Sequence, residues 1–230
     1  MWSGPRNLST AMMYSFGARA DFDIADEPFY APYLSETGLD HPMRDAILAQ
    51  HETDPARVAA RCALPLGDAP HSYMKHMPHH MLDGFDLGWA AGCTHVHLIR
   101  HPARVIASYA AKRDTPDLND IAFVQQVDMF EKTGGLILDG TDIRRDPSGM
   151  LQRLCAEIGL PFDPAMLHWP AGPRAQDGVW ASHWYGAVHA STGFAPPEGP
   201  LPTLPPHLQQ LCDQAMPFYR ALSARKMPLP

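Results

Sequence analysis

Two stretches of the chain gather residue types suited to hold an anion. The first is Gly4-Pro5-Arg6-Asn7-Leu8-Ser9-Thr10, which runs straight into a helical pattern. A helix N-terminus presents unpaired N–H groups and the positive end of the backbone dipole, a ready seat for phosphate or sulfate. Arg6 adds a full charge there, and Ser9 and Thr10 add hydroxyls in the first turn. The spacing imitates a Walker loop but lacks its Gly-Lys pair. Ser9 or Thr10 also reads as a plain N-cap, with Arg6 a surface charge. The second stretch runs from His97 to Tyr109, where a strand delivers Arg100 to its C-terminal end and a helix opens at Pro102. In open α/β sheets that end of the strands is the ligand edge. Ser108 lies two turns into the helix, able to point the same way as Arg100. A nucleoside triphosphatase often ends such a strand in an acid that holds magnesium. A cation suits an anion bound directly, although Arg100 also reads as a cap on a neighbouring helix.

Positioning these residues takes an α/β framework, and short apolar runs do alternate with longer amphipathic ones. Strands are expected at Phe22 to Ala25, ending at the acidic pair Asp26-Glu27, then at His71 to His76, Thr94 to Ile99 and Leu136 to Asp139. Helical periodicity marks Ser9 to Arg19, Pro102 to Lys112, Asn119 to Lys132, Pro147 to Ile158 and Pro205 to Ala224. Pro102 and Pro147 suit a first helical turn, and Gly159 the residue just past an end. If residues 3–10 are a strand-to-helix loop, only Met1 and Trp2 remain for the strand before it. That strand is expected to be a stub, or the chain begins late relative to its relatives. Ala195 to Pro206 holds six prolines and reads as an extended surface connection into the last helix. No internal repeat and no second apolar block is visible, so a single domain over 1–230 is expected.

Composition narrows the partners. The 18 Lys and Arg against 25 Asp and Glu leave a net charge of −7, which argues against a nucleic-acid or anionic-membrane binder. One basic pocket on an acidic body stays compatible with that balance. Only four of the 18 cations are lysines, and guanidinium groups suit bidentate contacts to carboxylate and phosphate. The four cysteines form no CxxC, which fits a reduced, cytoplasmic protein without a zinc ribbon. The chain shows no secretory h-region and no run long and apolar enough for a transmembrane helix. Thirteen histidines raise a metal hydrolase as a reading, with no HExxH to support it.

The two anion-holding stretches, in order on one chain, resemble the sulfotransferases that use 3′-phosphoadenosine 5′-phosphosulfate. Pro5 to Thr10 is similar to that family's 5′-phosphosulfate loop, written PKSGTT or PRSGST. Arg100 to Tyr109 is similar to its 3′-phosphate motif, an arginine with a serine eight residues later. Ile137 to Phe162 resembles its YEDL…DP…L..LC..LGLPF stretch. The resemblance implies a three-layer P-loop-like α/β fold, its central and mainly parallel sheet of about four to five strands flanked by helices. It also implies sulfuryl transfer from 3′-phosphoadenosine 5′-phosphosulfate (PAPS) to a hydroxyl or amine of a small-molecule acceptor, with no metal required. Arg6, Asn7, Leu8, Ser9 and Thr10 would hold the 5′-phosphosulfate, Arg6 also stabilising the leaving phosphate, and Arg100 and Ser108 the 3′-phosphate. Met74-Lys75-His76-Met77-Pro78 resembles the KTHLP strand end and makes His76 the general base, with Asp26 and Glu27 in competition. Arg174 is similar to the arginine of a late RKGxxGDW segment that closes over the nucleotide.

The chain departs from the family pattern in three places, one of them the segment Arg174 to Trp180, which is one residue short of the family's. Leu8 stands for the loop's glycine, so Asn7 is expected to take any left-handed backbone position. Ala11 stands where cytosolic members place a tryptophan against the adenine. Two other classes stay open: a nucleotide-binding module of this fold without turnover, and a P-loop kinase or nucleotide hydrolase. The aromatic stretch Trp180 to His189 reads as a lid or acceptor wall, or equally as packing for the last helix. His79 and His80 read as helix residues beside the pocket.

Overall fold

The chain is described by a computed structural model over residues 1–111 and 116–230. It forms two compact units, each assembled from separate stretches of sequence. One comprises Met1–Ser9, Thr94–Phe162 and Ala195–Pro230, the other Thr10–Cys93 and Asp163–Phe194. Among the described residues there are five strands: β1 (Trp2–Ser3), β2 (Phe22–Asp26), β3 (His71–Lys75), β4 (Val96–Ile99) and β5 (Leu136–Asp139). Every strand pairing is parallel, in ladders ordered β1-β4-β5 and β2-β3.

In the first unit the strands are short and buried on both faces. All four residues of β4 are buried, as in a parallel strand covered above and below, with His97 among three apolar residues and hydrogen-bonded to Gly134 and Gln126. The register sets Ser3 beside Leu98 and Ile99 beside Asp139. Three chain segments therefore leave the ladder at one edge: the loop after β1, the Arg100 turn after β4 and Gly140 after β5. Helices Pro102–Ala110, Phe123–Thr133 and Pro206–Ser223 pack around Val105, Ile106, Phe123, Leu211 and Ala215. Pro102 and Pro147 open their helices as expected. Gly159, at φ 73°, ends the Pro147–Glu157 helix, and the Leu160 N–H donates back to Cys155.

In the second unit β2 and β3 pair over five residues, from Phe22 beside His71 to Asp26 beside Lys75. Phe16, on the Ser9–Gly17 helix, stacks on Tyr73 at 4.8 Å and meets Phe22 edge-on at 5.1 Å. No described helix is long and apolar enough to cross a membrane.

Several element boundaries differ from expectation. The strand expected over Thr94 to Ile99 begins at Val96, and that expected over His71 to His76 stops at Lys75. The helix expected from Asn119 starts at Phe123, because Ala122 sits in the left-handed region at φ 57°. The helix from Pro102 ends at Ala110, and Lys112 lies outside the described residues. Among the described residues six helices were not anticipated: Tyr30–Thr37, Arg44–Gln50, Pro55–Cys62 and the shorter Gly140–Arg145, Ala181–Trp184 and Gly186–His189. His79 and His80 sit on a single 3-10 turn, Pro78–His80, and not on an α-helix. Residues 195–205 carry no regular structure, as expected for a connection, but Glu198 within them turns its side chain inward to 3% exposure.

Candidate active site

The loop after β1 is shaped by two residues in the left-handed region, Arg6 at φ 63° and Leu8 at φ 82°. The expectation that Asn7 would take this conformation is corrected. Asn7 is pinned instead, buried with its side-chain amide donating to the Leu98 carbonyl at 3.1 Å. Its carbonyl lies 3.0 Å from where a Cβ on Gly140 would stand. With Asn7 held at its side chain and crowded at its carbonyl, the backbone turn falls on its neighbours. Left-handed backbone at a non-glycine residue costs of order 1–3 kcal/mol and persists only where surrounding contacts enforce it. Ser9 follows as the first residue of the Ser9–Gly17 helix, buried, with Thr10 behind it.

Arg6, Arg100 and Ser108 meet in the first unit. The Arg6 Nε donates to the Ser108 hydroxyl at 2.9 Å. Arg100 Nη1 donates to the Arg6 carbonyl at 2.7 Å, bracing the loop from the end of β4. Burial, and then the like charge of Arg100, push the Arg6 guanidinium below its ordinary range, with Tyr109 opposing. Arginine stays protonated even so. Two neighbouring cations, one of them substantially desolvated, make a site whose energy falls when an anion arrives.

A larger cluster adjoins this one and went unread in the sequence. Glu198 receives Arg100, Arg104 and Arg144 together. Arg100 Nε reaches its Oε1 at 3.1 Å and Arg144 Nη1 reaches the same oxygen at 2.9 Å. The Thr141 hydroxyl donates to Oε2 at 2.9 Å, and Arg104 Nε lies 3.2 Å from Oε2. Burial works against ionisation of this carboxyl, but the Arg100 hydrogen bond and charge, then Thr141 and Arg104, hold it below the usual glutamate range. A signal was present in the sequence. Arg104 falls one helical turn after Arg100, and Glu198 is the single charged residue in the proline-rich stretch.

The second unit holds a buried charge network of its own. Lys75 is fully buried and donates to Asp26 at 2.9 Å and Glu27 at 2.6 Å. It also contacts the Tyr185 hydroxyl, which donates to Asp26 and receives Trp180 Nε1 at 3.0 Å. Burial, and then the like charge of Asp26, raise the Glu27 carboxyl, while Lys75 opposes them. For Lys75 burial lowers the pKa, but Asp26 and Glu27 outweigh it and hold the amine above its ordinary range. Within the aromatic stretch Trp180 and Tyr185 are buried, 1% and 5% exposed. Its anchor is the Lys75 network of the second unit.

His76 follows β3 and is buried, its ring 4.8 Å from Trp89 and 6.0 Å from Phe29. His80 stacks on Tyr30 at 4.5 Å and Tyr33 at 4.8 Å, with Nδ1 3.9 Å from Glu27. Arg174 is half-buried, its guanidinium 5.3 Å over the Tyr14 ring and donating to the Pro170 carbonyl at 2.8 Å. Asp177 ties that corner together, accepting from Tyr14 at 2.6 Å and meeting His189 at 3.1 Å. Among the described residues no group of three or more His, Cys, Asp or Glu is arranged to hold a metal ion.

The family model for the sulfotransferase domain matches residues 1–226. The chain is 35% identical over 226 residues to "Branched-chain-amino-acid aminotransferase-like protein 1" of Arabidopsis thaliana, covering 96% of this chain and 40% of that protein. It is 34% identical to the corresponding protein 2, with the same coverage. The chain thus spans about two fifths of the length of these relatives. Among solved structures it is similar to the "Sulfotransferase Domain from the Curacin Biosynthetic Pathway". The TM-score is 0.54 at 15% identity, over 94% of this chain and 95% of that one, a likeness of fold.

Proposed function

The chain belongs to the sulfotransferase-domain family, and on that premise we propose that it moves a sulfuryl group from PAPS to a hydroxyl or amine of a small-molecule acceptor. The observation that carries this reading is the convergence of Arg6, Arg100 and Ser108 on one strand edge. Two cations and a hydroxyl suit a donor that is itself a multiple anion. When bound, that donor supplies an activated sulfuryl group whose leaving phosphate gains negative charge.

Arg6 and the N–H groups of Asn7, Leu8, Ser9 and Thr10 hold the 5′-phosphosulfate in this reading. The Arg6 guanidinium meets the charge that develops on the leaving oxygen, where a preorganised cation stabilises most. Arg100 and Ser108 hold the 3′-phosphate. His76 takes the acceptor proton, and Arg174 closes over the nucleotide; both roles rest on the family resemblance. A second reading of the base is Glu27, favoured by a carboxyl that burial keeps more proton-avid than an ordinary glutamate.

Calorimetric titration with adenosine 3′,5′-bisphosphate without metal tests the site. Binding weakened by roughly 10- to 100-fold in both Arg6→Ala and Arg100→Ala is expected, the worth of a charge-assisted hydrogen bond. No binding to the intact protein overturns the assignment. With labelled donor and an acceptor panel, His76→Ala retains nucleotide binding and loses transfer. If Glu27→Gln loses transfer while His76→Ala keeps it, the base is Glu27.

A further inference from the structure

Glu198 is an unusual occupant for the cluster that surrounds it. One carboxylate carries a single negative charge, yet three guanidinium groups and the Thr141 hydroxyl address it. The site therefore holds more positive charge than its occupant neutralises. Burial lowers the Arg144 pKa, Glu198 offsets that, and the charges of Arg100 and Arg104 lower it further. The arginines also grip the backbone on both sides of Glu198. Arg144 Nε donates to the Pro196 carbonyl at 2.9 Å, and Arg104 contacts the Gly199 carbonyl. The neighbouring residues of that stretch, 195–197 and 199–201, are exposed and without regular structure. A mostly solvated strap is thus held chiefly through one inserted acid and two carbonyls. Forked donors around two acceptor oxygens also match the shape of a phosphate monoester, which presents one more oxygen and one more charge.

We propose that Arg100, Arg104, Arg144 and Thr141 form a phosphate-binding subsite, and that Glu198 is its internal competitor, released when a phosphate dianion takes its place. Nothing in the sequence motifs assigned Arg104, Arg144 or Thr141 to a ligand. In identifying the phosphate with the donor's 3′-phosphate the inference rests on the function proposed above, because Arg100 belongs to both clusters. The subsite itself does not depend on that identification. Release breaks only ionic and hydrogen-bonded contacts, so no covalent step is involved. The consequence is a gate: nucleotide affinity is set by the difference between two anions for the same arginines.

The test uses inorganic phosphate and adenosine 3′,5′-bisphosphate as separate probes, in chloride buffer of low ionic strength. Glu198→Gln is expected to bind both about tenfold more tightly than the intact protein, since a neutral amide competes weakly for guanidinium. Arg104→Ala and Arg144→Ala, built on Glu198→Gln, lose that gain. A second measurement uses the unaltered protein and a protease that cleaves after glutamate, with mass spectrometry reading the Glu198–Gly199 bond. Phosphate is expected to speed cleavage there by several-fold as the strap leaves. Unchanged phosphate affinity in Glu198→Gln, or cleavage at that bond unaffected by saturating phosphate, overturns the proposal. Phosphate results as expected, with the bisphosphate binding no better than phosphate, keep the subsite and overturn the nucleotide reading instead.

Discussion

Leu8 shows how much a single residue can be bent to a task. At φ 82° it adopts the backbone of the glycine that related loops carry, and it does so with a branched side chain attached. Glycine at this position relieves the strain but loosens the unfolded chain by about 0.5–1 kcal/mol. Valine, branched at Cβ, fits left-handed backbone worse than leucine does. Leu8→Gly is therefore expected to exceed Leu8→Val in stability by roughly 2 kcal/mol in urea denaturation. Equal stability of the two would show that the loop does not hold this turn in solution. The turn's exact seat was beyond the sequence, because Asn7 has the better intrinsic tolerance for it. What moved it was the Asn7 amide bonding a strand 91 residues away and the close approach of Gly140.

At the scale of elements, the β2–β3 register has one energetic consequence. It sets Asp26 beside Lys75, so the only amine in that pair of strands faces two carboxylates out of water. Removing one member of a buried ionic cluster strands the others, at about 3–5 kcal/mol. Lys75→Met is expected to lose that much in equilibrium unfolding, and Glu27→Gln added to it to restore part. A loss under about 1 kcal/mol would mean the network is wet and weak. The strand ends carrying Arg100 and Asp26-Glu27 were legible, since apolar runs closing on charged residues follow from local pattern alone. The Pro55–Cys62 helix was also written locally and overlooked. Asp54 caps it by accepting from the Ala56 N–H at 2.8 Å, with Pro55 in the first turn. Tyr185 was not legible, and neither were the pairings of Glu198 with Arg100 and Arg144, because the partners lie 110, 98 and 54 residues apart; only the lone acid itself stood out. Periodicity and spacing carry no information about such pairs.

For the molecule as a whole, acid sensitivity follows from three imidazoles, His79, His80 and His97, the last pushed down by burial to about 3. Burial, and then His41, push His79 down to about 3. Burial, then His79 and His41, hold His80 well below its ordinary range. The unfolded chain thus takes up protons near pH 6.5 that the folded one refuses. Stability falls as pH drops below that value, by about 1.4 kcal/mol per pH unit for each such imidazole. His79→Leu combined with His80→Phe is expected to reduce the slope of thermal stability between about pH 6.5 and 4, His97 keeping its share. An unchanged slope would place the acid sensitivity elsewhere. The interleaving of the two units has a different kind of consequence, one of timing. The second unit's last stretch ends at Phe194, whereas the first needs the Pro206–Ser223 helix to cover Val105, Ile106 and Phe123. A chain made from its N-terminus supplies all of the second unit before it supplies that cover. The arginines at 100, 104 and 144 are then translated well ahead of Glu198, the acid that pairs with all three. During synthesis the nascent first unit carries an uncovered apolar face, the feature that aggregation exploits, beside a cluster of positive charge still without its acid.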